Sequence, residues 1–131
     1  MSTMYSRSVG MLEQARHALS MVGQDDAYLD IACFDTQQAI EFLLKAILLE
    51  NGIAYNRSHD IRYLMTLAQQ TGFKFEKEES LDMLADTITD WEESSRYGKG
   101  IRTSEQTIRR IHNIYNSMNE AFLAIQDKNQ R

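Results

Sequence analysis

Gln37, Glu41 and Lys45 stand at four-residue intervals inside the most apolar stretch of the chain, with Gln38 beside them. At that interval side chains stack on one side of a helix. A helix that is apolar over most of its circumference is buried on several sides, and buried amides or charges left unpaired are costly. The stripe is therefore either a structural polar network or the wall of a site. Downstream, His59-Asp60 offers a base, a ligand or a capping group. Asp60 near a helix start is favourable through the helix dipole alone. No second His or Cys lies at metal-ligand spacing from His59, so neither a metal nor another cofactor is expected.

A second set is cationic. Between residues 96 and 110, Arg96, Lys99, Arg102, Arg109 and Arg110 are opposed only by Glu105, whereas the segment 76–93 is acidic apart from Lys77. The basic segment also holds Tyr97, Gly98 and Gly100 and runs into a predicted helix N-terminus. Backbone N–H groups at such a terminus favour anions, and glycines allow close approach. Arg96, Lys99 and Arg102 are thus candidate phosphate contacts, and Tyr97 a candidate stacking partner for a base. The alternative is a solvated basic loop that offsets the acidic helix before it, since the glycine spacing matches no phosphate-loop motif.

The other reactive side chains point to structure. His17 and His112 are isolated on amphipathic helices. Cys33, the single cysteine, has no disulfide partner and fits a core position in a reducing compartment. Glu92-Glu93 lacks the His or second acidic pair of a bundle metal site. No Gly-x-Ser-x-Gly signature is present. Taken alone, these residues do not indicate catalysis.

The elements that must position these groups are helical. Apolar residues recur at three- and four-residue steps and predict helices over 6–22, 27–50, 59–70, 78–93 and 103–127. Asp25 or Asp26, Ser58, and a Thr103/Gln106 capping box are the expected starts, and Gly23, Gly52 and Gly72 the stops. With no proline in 131 residues, nothing forces a kink. The expected fold is an all-α, up-and-down bundle of about five helices forming one domain over 1–131. Its expected core includes Leu43, Ile47, Leu64, Leu84, Trp91 and Ile111. The longest apolar run, 39–49, is too short for a bilayer and carries Glu41 and Lys45. No leader pattern opens the chain. A soluble, cytoplasmic protein with no membrane partner is expected.

Several of these pieces together resemble the HEPN family of small helical nucleotide- or RNA-associated domains. The matching residues are Met11-Leu12-Glu13-Gln14-Ala15-Arg16 and Cys33-Phe34-Asp35-Thr36-Gln37-Gln38-Ala39-Ile40-Glu41 with Leu44-Lys45-Ala46. Asn51-Gly52, His59-Asp60 with Leu64, and Ser95-Arg96-Tyr97-Gly98 also fit. The Gln-Gln-Ala-x-Glu…Lys-Ala piece is the most specific. The resemblance implies a helical bundle, a homodimer, association with nucleotides or RNA, and pairing with a nucleotidyltransferase of the toxin–antitoxin type. In that setting Arg96, Tyr97, Lys99 and Arg102 bind the ligand, and Gln37, Glu41, Lys45 and His59 line or brace the cleft. The family's ribonucleases carry an Arg followed, after four to six intervening residues, by a His. No Arg stands at that distance before His17, His59 or His112. A non-catalytic binding protein is therefore expected, with a divergent ribonuclease using His112 or His59 as the alternative.

Overall fold

The computed structural model describes residues 3–96 and 103–130. Side chains are described for all of these except Thr3 and residues 92–96. Five helices follow one another among them: α1 (Thr3–Ser20), α2 (Ala27–Glu50), α3 (Ile61–Gln70), α4 (Glu78–Arg96) and α5 (Glu105–Asn129). No strand occurs among the described residues. The all-α bundle matches the expectation, and none of its described helices is long and apolar enough to cross a membrane.

The bundle is organised around α2. Its apolar residues face several ways because α1 lies along its length while α3, α4 and α5 each pack against it as well. Ala39, Ile40, Leu43, Ile47 and Leu48 are fully buried there, beside Leu64 of α3, Ile88 of α4 and Ile111 of α5. Deleting such a side chain leaves a cavity and costs about 2–5 kcal/mol. Gly52 and Gly72 follow α2 and α3 at φ 68° and 86°, a left-handed turn in which a Cβ would be strained.

Several local expectations need correction. Leu84 is only partly buried, because the inner face of α4 is set by Leu81, Ala85, Ile88 and Trp91 and Leu84 falls at its edge. α3 begins at Ile61 and is capped by Asp60, whose side chain accepts from the N–H groups of Arg62 and Tyr63. Ser58 instead accepts from the Asp60 N–H, tightening the turn before the cap. α5 is capped by Ser104, which accepts from the Thr107 N–H, so the Thr103/Gln106 box is displaced by one residue. Asp26 stands at the cap position of α2 without a side-chain capping bond, and Asp25 accepts from the Ala27 N–H. Each displaced cap lies within two residues of the one used.

Candidate functional site

The polar stripe of α2 closes into a network. Glu41 is 1% exposed, and both its oxygens are engaged. Oε2 accepts from Lys45 Nζ at 2.9 Å, and Oε1 pairs with His59 Nδ1 at 2.8 Å. Gln37 Nε2 donates to Oε1 more weakly at 3.4 Å. The Glu-before-Lys order at four residues is the favourable one on a helix. Lys45 is itself 8% exposed and lies over the Tyr55 ring, 5.8 Å from its centroid. A buried carboxylate is thus held between two cationic or donor groups, one from its own helix and one from the turn into α3. That arrangement offsets desolvation without a ligand. The remaining oddity is Gln37 Oε1, buried without a hydrogen-bond partner. Flipping the amide would set that oxygen against the Glu41 carboxylate, so the orphan follows from serving Glu41.

The structure therefore brings together four of the sequence-predicted site residues, Gln37, Glu41, Lys45 and His59. Arg96 is the last residue of α4, and its side chain is outside the described residues. Tyr97, Lys99 and Arg102 lie outside them altogether.

A second site was not anticipated. Between α1 and α5 lies a cleft of about 460 Å³ lined by Arg16, Leu19, Arg109, His112, Asn113 and Asn116. His112 forms part of its floor. The imidazole is 6% exposed, and its Nε2 is 2.8 Å from Oγ1 of Thr36, a fully buried residue of α2. Burial, then the charges of Arg16 and Arg109, lower its pKa from 6.5 to about 4, so the ring is neutral at pH 7. Arg16 reaches across from α1, donating from Nη2 to Asn116 Oδ1 at 3.1 Å. Arg109 is exposed, with Glu105 at a loose 3.6 Å.

Arg109 and Asn113 also line an adjoining depression of about 490 Å³ with Gln106, Thr107 and Arg110. The two hollows form one polar face along the first half of α5. Among the described residues lining them there are three arginines and no carboxylate. A protein of net charge −5 keeps this face cationic. The signal available in the sequence was the phase of α5, where His112 falls among Ile108, Ile111 and Tyr115 on the buried face. Arg16 could not be placed beside it by spacing, because it belongs to another helix.

The remaining reactive groups are quiet. Burial, helped by Asp30, pushes the Cys33 thiol up to about 12, which leaves it protonated and unsuited to nucleophilic attack. No group of three or more His, Cys, Asp or Glu among the described residues is arranged to hold a metal ion.

The HEPN domain family model matches residues 1–125. No curated protein and no solved structure matches the chain. The family match spans the helical bundle described above and includes both the Glu41 network and the Arg16/Arg109 cleft, and on that ground the chain belongs to the HEPN domain family.

Proposed function

We propose that this protein binds RNA or nucleotides without cleaving them, through the cationic face of α5 and Arg16 of α1. The supporting observation is the pair of hollows that share Arg109 and Asn113 and are lined also by Arg16 and Arg110, with no carboxylate among their described lining residues. Guanidinium groups suit phosphate oxygens in geometry as well as charge. The basic segment with Arg96, Tyr97, Lys99 and Arg102 precedes α5 in the sequence and offers further cations and an aromatic ring to the same ligand. The Glu41 network braces α2 against the turn into α3. In this reading the protein is a cytoplasmic homodimer that works beside a nucleotidyltransferase in a toxin–antitoxin type pair. On α2, Ile31 and Leu49 are left 45% and 53% exposed, and Ile31, in the groove between α1 and α2, suits a second copy.

Titration with a short single-stranded oligouridylate tests the proposal. Arg16→Ala and Arg109→Ala should each weaken binding by about tenfold, equivalent to roughly 1.4 kcal/mol. Affinity should fall as salt rises, because phosphate contacts release counterions. Unchanged affinity in the double variant would place the site on another face. A second reading, a divergent ribonuclease, is favoured by one feature, the two arginines flanking His112. It requires RNA cleavage that disappears in His112→Ala, and intact RNA after prolonged incubation with the native chain rejects it.

A further inference from the structure

We infer that His112 is the third donor of the α1/α5 cleft, so that a phosphodiester of RNA seated between Arg16 and Arg109 brings one proton onto its imidazole. The inference rests on the RNA-binding reading and deepens it. The proton comes from solvent, and no bond of the RNA breaks.

The geometry supplies each requirement. Arg16 and Arg109 approach His112 from two different helices and line the same cleft, so an anion held by both lies next to the ring. Thr36 closes the other side through Nε2. A hydroxyl both donates and accepts, so Thr36 bonds a bare Nε2 lone pair and equally accepts from Nε2–H. Protonation therefore strands no buried partner on α2. Nδ1, which has no hydrogen bond among the described residues, is the nitrogen available to the cleft. Asn116, bound to Arg16, holds that guanidinium toward α5.

The charges that act on His112 are Arg16 from α1 and Arg109 from its own helix, and both oppose its protonation. The group facing it from α2 is the uncharged Thr36 hydroxyl. Tyr115, one turn further along α5, stays a neutral phenol hydrogen-bonded to Ser8. An anion between the two arginines cancels the only charge repulsion on the ring. An opposite charge within about 4–6 Å favours the protonated form by about 1–3 pH units. Phosphate binding and protonation then strengthen each other, by linkage.

Oligouridylate is the suitable probe, since neither its base nor its phosphodiester titrates between pH 5.5 and 7.5. Binding is measured at both pH values for the native chain and for His112→Gln. The native chain should bind about four- to tenfold more tightly at pH 5.5, the range that a bound-state rise of about 2 units or slightly more produces. The variant should bind equally at the two values within about twofold. The same pH dependence in both chains overturns the inference, since other groups then carry it. Binding without pH dependence in the native chain overturns it too, and leaves the RNA-binding reading standing. No binding at any pH removes that reading and the inference together. Should His112→Gln fail to fold, the His112 ring resonance of the native chain decides: it should titrate about two units higher with oligouridylate bound, and an unmoved titration overturns the inference.

Discussion

The Glu41 network and the His112 cleft are both built on a buried titratable side chain, and they treat it in opposite ways. Glu41 is surrounded by groups that complement its charge: Lys45, His59 and the Gln37 amide. His112 is surrounded by two arginines that oppose any charge it takes on. The first arrangement is complete as it stands, and adding a ligand gains little. The second holds surplus positive potential over a neutral ring and an open cleft, which an anion satisfies. Burial of a polar group therefore does not distinguish a brace from the proposed binding site. The sign of the surrounding charges does.

The comparison breaks most visibly at Glu41. Glu41→Gln leaves Lys45 buried without a counter-charge and should cost about 3–5 kcal/mol in denaturant unfolding. Adding Lys45→Met removes the stranded charge and should restore much of that loss. A near-native midpoint for the single variant would show that the network is no brace.

His112 should act next, through pH. Its folded pKa of about 4 lies below the ordinary 6.5. Above pH 6.5 neither the folded nor the unfolded chain is protonated there, and the group is without effect. As pH falls toward 4 the unfolded chain takes up a proton that the folded chain refuses, so stability is lost across that window. The full loss is at most about 3 kcal/mol, reached only below pH 4. Unfolding measured from pH 7 to 4 should fall less steeply for His112→Gln than for the native chain, and parallel curves would remove His112 from the account.

The smallest effect on stability belongs to Arg16. Its side chain is exposed in the cleft wall, and Arg16→Ala should change stability by no more than about 0.5 kcal/mol. The same change should raise the His112 titration, because one of its two opposing charges is gone. A stability loss as large as that of Glu41→Gln would erase the distinction between the two regions.

The bundle itself was legible because its signals are local. Three- and four-residue periodicity, an absence of proline and glycines after α2 and α3 are properties of neighbouring residues. The Gln37, Glu41 and Lys45 stripe was legible for the same reason. Cap positions were blurred where two capping residues compete, Ser58 with Asp60 and Thr103 with Ser104, since the choice depends on which one adopts extended backbone. The cleft was not legible. Its walls come from α1 and α5, with Thr36 of α2 buried behind His112, and no rule of spacing within one helix relates Arg16 and Thr36 to His112. The family's Arg-to-His spacing looks along a single helix, whereas here a guanidinium also arrives from outside it.

Ser8 sits where these same three helices meet. It is fully buried and donates its only hydroxyl proton to the Ala39 carbonyl at 2.6 Å. The Tyr115 phenol, 2.8 Å away, must therefore be the donor to Ser8. One hydroxyl thus pins the inner surface of α1 to α2 and α5, two turns of helix before Arg16 emerges on the cleft wall. The two sides of the cleft have little freedom to part or close. Under the proposed binding, RNA meets two helices already tied together, so little ordering entropy is lost on association. Encounter at such a site is limited by diffusion and by the attraction of its arginines for an anion, not by waiting for a gate.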